Sequence, residues 1–301
     1  MSRIVCVGSM NMDIAAYSTT LPRPGETVFG STLVTSPGGK GLNQAVAARR
    51  LGADVTFIGN LGRDDAGNSL AAFLDAEGID KSGVARLEDV PSGAAIILVD
   101  ARSENSIVVI PGANMAWPPG ALDHLSLAAG DIVVAQFEIP DAVIVEAFDR
   151  ARQAGAKTIL NAAPARPMPA RLLPLVDILV VNEAELATVC GKTIAATDLT
   201  AIAAAALQLS GASLAVVATL GPAGVLVAAS GTVTRVEGSP VEAVDTAGAG
   251  DCFIGALAAA LVRGDSLSTA AAYANRAAGI SVTRRGTAIS MPFANEVQAI
   301  S

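Results

Sequence analysis

The sequence predicts an α/β fold with a mostly parallel central sheet and a small second β-sheet beside it. Three observations carry that expectation. Short β-branched runs alternate with Ala- and Leu-rich helical stretches, the pattern of parallel strands joined by crossover helices. Two polar, β-branched segments interrupt the alternation and read as hairpins. The composition is 51% hydrophobic but only 3% aromatic, so the core must be built from Ala, Val, Leu and Ile. A chain of 301 residues buries roughly 75% of its unfolded surface, ample for such a core. No repeat, low-complexity tract or Pro/Gly linker divides it, so residues 1–301 read as one domain.

Taken in order, Ile4 to Val7 form a buried strand ended by Gly8. Residues 38–53 form a helix with Gly52 as its stop signal. Residues 54–62 are a strand and 64–79 a helix. The first interruption, about 14–36, carries turn residues Pro22, Pro24 and Gly25. The second, about 92–111, is two β runs joined by a polar turn from Arg102 to Asn105. "DIVVAQFE", "KTILNAAP", "DILVVNEAE" and "LAVVATLG" are then buried strands, each reaching a polar or glycine-bearing loop. "LTAIAAAALQLSG" is helical, residues 224–238 are a hairpin, and the chain beyond Asp245 is helical.

Net charge is −8, which argues against nucleic acid as a partner, because phosphate-backbone binding needs clustered Lys and Arg. The three cysteines, Cys6, Cys190 and Cys252, lie far apart and form no Cys-x-x-Cys, so they read as small core residues in a reducing compartment. The single histidine, His124, sits on an ordinary amphipathic segment and reads as a surface residue. No basic start followed by an apolar run marks a signal peptide, and no apolar stretch is long enough to span a membrane. A cytoplasmic location is the expectation.

Polar residues then recur just past strand ends, where open α/β sheets bind ligands. "SPGGKGLNQA" (residues 36–45) is a glycine-lined loop entering a helix, with Lys40 and Asn43 near its start. It is not a Walker A loop, because Gly41 follows Lys40 where a hydroxyl should hold magnesium. Asn11 and Asp13, expected at the first strand end, add paired donors and acceptors of the kind vicinal sugar hydroxyls need. "VCVGSMNMD" has one glycine where a dinucleotide fingerprint needs three, so an oxidoreductase loses its main support. "NEAE" (182–185) spaces Asn182 and Glu185 as a helix capping box, and also offers a carboxylate to hold Mg²⁺ through water. "TLGPAG" (219–224) is a strand leading into a glycine-flanked turn, suited to pass beneath a nucleotide. "DTAGAGD" (245–251) places small residues at a helix mouth, where bare N–H groups attract an anion, with Asp251 beside them as a base.

In their order and spacing, "GSMNMD", "GGKGLNQAVAARRLG", "NEAE", "TLGPAG" and "DTAGAGD" resemble the ribokinase-like (PfkB) carbohydrate kinases, from Ile4 to about Pro292. "QFEIP" and "NAAPARPMP" resemble the ribokinase branch. The resemblance implies a three-layer αβα sandwich with a small β lid, and ATP-dependent phosphorylation of a sugar, D-ribose to ribose 5-phosphate. Kinases of another sugar or a nucleoside, and a non-catalytic sugar sensor, are the alternatives. Asp251 would be the catalytic base, and the N–H groups of Ala247, Gly248, Ala249 and Gly250 the anion hole. Asn11, Met12, Asp13, Gly39, Lys40, Gly41, Leu42, Asn43 and Glu138 would hold the sugar. Asn182, Thr219, Leu220, Gly221, Pro222, Ala223, Gly224 and Asn275, with Gly250 and Asp251, would line the ATP site, and Glu185 would organise Mg²⁺. A monovalent cation, K⁺, would rest on Asp245, Ala247, Ser281, Arg284, Gly286 and Ser290. The lid would pair in a homodimer. Asn275 stands where some members carry histidine, and Ser36–Pro37 precedes Gly38 where smaller residues are usual.

Overall fold

The computed structural model describes residues 2–102, 104–123, 125–238 and 240–299. His124 therefore lies outside the described residues. Strand β1 (Ile4–Val7) is wholly buried at the heart of a nine-stranded sheet. From one edge the sheet runs β13 (Thr232–Val236), β12 (Val225–Ala229), β11 (Ala215–Thr219), β10 (Ile178–Asn182), β9 (Lys157–Asn161) and β8 (Ile132–Gln136). It continues through β1, β4 (Val55–Gly62) and β5 (Asp80–Leu87). From β11 to β5 every pairing is parallel, and the β12–β13 hairpin adds an antiparallel edge.

Strand geometry sends successive side chains to opposite faces, and β1 divides its residues that way. Ile4 and Cys6 join a core with α1 (Lys40–Arg50), α2 (Asp65–Ala76), α6 (Ala249–Val262) and α7 (Leu267–Ser281). Val5 and Val7 join a core with α3 (Asp141–Ala154), α4 (Glu183–Cys190) and α5 (Leu199–Leu209). The result is a three-layer αβα sandwich. Helix α6 is buried continuously from Asp251 to Ala260, which explains why it is apolar all round rather than amphipathic.

The four-stranded second sheet is ordered β3 (Gly30–Gly38), β2 (Asn11–Ser18), β6 (Gly93–Val99) and β7 (Asn105–Ile110). Its two antiparallel pairs are the two interrupting segments of the sequence, joined by a parallel β2–β6 contact. This lid begins at Asn11, so Asn11 and Asp13 belong to a lid strand rather than to the end of the first core strand. Strand β5 was not anticipated. It is an edge strand carrying Lys81 and Arg86, so no apolar run betrays it.

Candidate active site at the switch point of the sheet

The chain turns from β1 toward β4 on one side and toward β8 on the other, so the strand order reverses between β1 and β8. Ligands bind at such a switch point, beyond the carboxyl ends of the strands. Here Ser9, just after β1, donates its hydroxyl to Glu138 Oε2 at 2.5 Å, just after β8. The same oxygen accepts the Lys40 N–H at 3.1 Å. The loop into α1 is pressed against the β1 end: a Cβ on Gly41 would stand 2.6 Å from Ser9 N, and Gly39 adopts φ 94°. Both positions require glycine, which is why the "GGKG" run is there.

On the lid side, Asn11 accepts at Oδ1 from Asn114 Nδ2 at 2.7 Å, and Asn114 also grips the Met10 backbone at both N–H and C=O. Met12 is half-buried and packs on the core. Asp13 is buried, and Thr287 Oγ1 stands 3.4 Å from its Oδ2. Burial dominates its titration: the carboxyl rises to about 7, opposed by the Thr287 hydrogen bond and helped by the charges of Glu138 and Asp251. Leu42 departs from its expected role. Its side chain is wholly buried in the core and its N–H donates to Ser9 O, so it supports the loop and has no side-chain surface for a ligand.

Asp251 lies in the first turn of α6, nearly buried, and both its oxygens are held. Asn43 Nδ2 donates to Oδ2 at 2.9 Å and Gln44 Nε2 to Oδ1 at 2.9 Å. Asn43 Oδ1 is buried without a partner, an acceptor aimed at no protein group. Gly248, at φ 76°, caps α6 without any side-chain hydrogen bond. Two of the four N–H groups expected in an anion hole are already engaged. Ala247 donates to Asp245 Oδ1 at 3.0 Å, and Ala249 to Thr246 O at 3.3 Å. The N–H groups of Gly248, Gly250 and Asp251 donate to no described residue, so these three are the ones open to an anion at the helix mouth.

These groups border a cavity of about 580 Å³. Lys40 and Asp251 stand in its wall with Asn182, Glu185, Thr219, Gly221, Pro222, Gly224, Gly248, Ala249, Gly250 and Asn275. Leu220 and Ala223 do not line it; they pack into the core behind α5. Its apolar end is formed by Val225, Val241, Ala278 and Val282, which the sequence did not single out because each reads as ordinary core. Asn275 donates Nδ2 to Glu237 O at 3.0 Å, which leaves its Oδ1 for a ligand. Lys40 is kept cationic above its ordinary range: burial opposes the charge, but Asp251, Glu138 and Glu185 outweigh it. A larger, open groove of about 1140 Å³ on the outer face of α3 lies away from all these groups.

Glu185 and Asn182 form the capping box of α4, with Glu185 Oε2 accepting the Asn182 N–H at 2.8 Å and Oε1 its Nδ2 at 3.0 Å. Burial raises the Glu185 carboxyl, against the Asn182 N–H and Lys40, with Asp251 and Glu183 adding to the rise. Each oxygen retains a second lone pair beyond these bonds, and Glu185 lines the cavity, which suits a hydrated magnesium ion rather than direct ligation. In the loop before α6, Asp245 Oδ2 accepts the Gly286 N–H at 3.0 Å, tying residues 245–247 to 284–290. The Ser281 and Ser290 hydroxyls donate to Ala278 O and Thr287 O, and Arg284 pairs with Glu296, so these side chains are already engaged. Among the described residues no three His, Cys, Asp or Glu converge as a metal cluster. A cation here would rest on backbone carbonyls and one carboxylate, a hard and weakly charged donor set that suits a large monovalent ion.

The three cysteines are free thiols, with Cys6 and Cys252 buried and each pushed up to about 12, mainly by burial. No described helix is long and apolar enough to cross a membrane.

Comparison with known proteins places the whole chain in one family. The model of the pfkB family of carbohydrate kinases matches residues 1–294. The ribokinase of Bacillus subtilis is 38% identical, covering all of this chain and 99% of its own. A bifunctional ribokinase/ribose-5-phosphate isomerase A of Fructilactobacillus sanfranciscensis is 39% identical over 97% of this chain, which spans 55% of that longer protein. The structure of Arabidopsis thaliana ribokinase complexed with ribose and ATP superposes with a TM-score of 0.89, at 33% identity over 100% of this chain and 99% of its own. The chain belongs to the pfkB family of ribokinase-like, ATP-dependent carbohydrate kinases.

Proposed function

We propose that this kinase phosphorylates D-ribose to ribose 5-phosphate, with Asp251 as general base. The observation that carries the reading is the junction at Asp251: its carboxylate, held by Asn43 and Gln44, stands between the polar lid cluster and the cavity beside unengaged N–H groups of α6. Asp251 takes the proton of the sugar hydroxyl, whose oxygen bonds to the γ-phosphorus of ATP. The bond from that phosphorus to the bridging oxygen breaks, and ADP leaves with the electron pair. Phosphoryl transfer depends mostly on positioning and charge stabilisation. The N–H groups of Gly248 and Gly250 and the Lys40 ammonium supply that stabilisation. Asn11, Asp13, Gly39, Gly41, Asn43 and Glu138 hold the sugar, and Asn182, Thr219, Gly221, Pro222, Gly224 and Asn275 the nucleotide.

Mg²⁺ would be held through water by Glu185. K⁺ would be held by Asp245 and carbonyls of Ala247, Ser281, Arg284, Gly286 and Ser290, and supplies fixed positive charge behind the anion hole when bound. Three free thiols support a reducing, cytoplasmic location. The exposed apolar side chains of the lid support a homodimer through that sheet.

A positioned base contributes about 10²–10⁴-fold, so Asp251→Asn is expected to lower kcat by at least about a hundredfold while sugar still binds. An ADP-release screen over ribose, deoxyribose, fructose, hexose phosphates and nucleosides is expected to rank ribose first in kcat/KM. A low rank for ribose removes the substrate; near-normal turnover by a folded Asp251→Asn variant removes the base.

A further inference from the structure

Behind Asp251, Gln44 opens a chain of buried amides whose further members, Gln136 and Asn161, the reaction above leaves unused. Gln44 is fully buried in the first turns of α1. Its Nε2 donates to Asp251 Oδ1 at 2.9 Å and to Asn161 Oδ1 at 3.2 Å, and its Oε1 accepts from Gln136 Nε2 at 2.7 Å. Gln136 and Asn161 end the adjacent parallel strands β8 and β9, where they are paired in register. Both are buried, Gln136 completely. The chain therefore runs from the rigid centre of the sheet to the reacting carboxylate.

One charge sets the direction of every amide in this chain. An ionised carboxylate has acceptors only, so Gln44 must turn its NH₂ toward Asp251. That leaves Oε1 for the NH₂ of Gln136. Gln136 Oε1 is then turned away, and it is buried without a partner beside Gly8, where a Cβ would stand 2.2 Å from it. Reversing Gln44 would set Oε1 against Asp251 Oδ1 and leave Gln136 Nε2 facing a donor. Two anchors, one on each strand end, oppose that reversal.

We propose that Gln44 is the positioning residue of the base: clamped by Gln136 and Asn161, it fixes the rotation of the Asp251 carboxylate and keeps an N–H donor, never an acceptor, against its Oδ1. Asn43 holds the other oxygen, but its Oδ1 has no protein partner, so only Gln44 is anchored at both ends of its amide. The proposal rests on the reading of Asp251 as the base, and the test separates the two.

Gln44→Glu and Gln136→Met are measured beside Asp251→Asn, with kcat and both KM values followed from about pH 5 to pH 9. Gln44→Glu sets a second carboxyl against Asp251, and two such groups in contact raise the apparent pKa of the pair. The acidic limb of kcat is expected to move up by at least about one pH unit. At pH 7 kcat is expected to fall roughly tenfold to a hundredfold, the size of one lost hydrogen bond to a charge. The KM values for sugar and ATP stay within about threefold, because the group lost acts on the base alone. Gln136→Met does not touch Asp251, and its limb is expected to move the same way by less. A folded Gln44→Glu variant with an unmoved limb overturns the proposal, whether kcat is retained or falls equally at every pH. If Gln44→Glu does not fold, an unmoved limb in Gln136→Met overturns it. If Asp251→Asn keeps its turnover, the base assignment fails whatever the Gln44 variants do.

Discussion

Asp13 is a carboxylate in a place that disfavours its charge. Burial pushes it up to about 7, Thr287 pulls it back, and Glu138 and Asp251 push it further. The unfolded chain titrates this group near its ordinary 3.8. Between those values the folded state binds more protons than the unfolded state, so stability falls as pH rises from about 4 to about 7 and stays lower above. Asp13→Asn removes this titration. The variant is expected to melt above the wild type at pH 8, with the gap closing toward pH 5, and to raise the sugar KM at least about tenfold. A melting-temperature gap that does not change with pH would mean that the asparagine acts by packing instead. Asp13, Asn11, Asn43 and Asp251 stand out in the sequence because each is a polar residue that follows a glycine-bearing turn: Gly8, the GGKG run and Gly248 to Gly250. Gln44, Gln136 and Asn161 do not. Each is a neutral amide in an otherwise regular helix or strand, and only the fold brings residues 44, 136, 161 and 251 together.

Among the elements, the seam between α1 and α6 decides whether those amides reach the base. Gly255 of α6 lies against α1 so closely that a Cβ there would stand 2.4 Å from Gln44 O and 2.5 Å from Ala47 Cβ. Two effects compete in Gly255→Ala. Alanine gains about 1 kcal/mol of helix propensity, while overpacking a tight seam costs about 1–3 kcal/mol. The contacts are to a backbone carbonyl and a short side chain, neither of which can swing away, so overpacking is expected to win. Urea denaturation of Gly255→Ala should show a lower midpoint, and kcat should fall because the backbone of Gln44 is displaced. A midpoint at or above the wild type would show that the helices separate freely. The strand–helix alternation made most elements readable from local pattern, including both lid hairpins. Strand β5 escaped because its side chains alternate with charge and glycine at an edge, and the exact start of the lid escaped because the polar Asn11 to Asp13 read as a loop beyond β1.

At the scale of the whole molecule, the lid has a composition that does not suit exposure to water. Edge strand β7 is exposed throughout, yet it carries Ile107, Val108, Val109 and Ile110 in succession with no charge among them. Monomeric proteins blunt such an edge with lysine, proline or a bulge. The register places apolar side chains on both lid faces. Leu33, Ile96 and Val108 share one face through their partners Ala16 and Ile14. Val34, Ile107 and Val109 share the other through Ala15 and Ala95, the face that also carries Asp13. A bound sugar is too small and polar to cover both faces, whereas a second lid of the same composition matches them. The wild type is therefore expected to behave as a dimer in size-exclusion chromatography with light scattering at micromolar concentration. Val108→Lys and Val109→Lys each set a charge on one face, and the variant that elutes as a monomer identifies the paired face. If that face is the one bearing Asp13, its sugar KM should rise along with dissociation, because the partner then closes the pocket. A wild-type protein that is monomeric at those concentrations would remove the dimer and leave the exposed β7 edge as a site of aggregation.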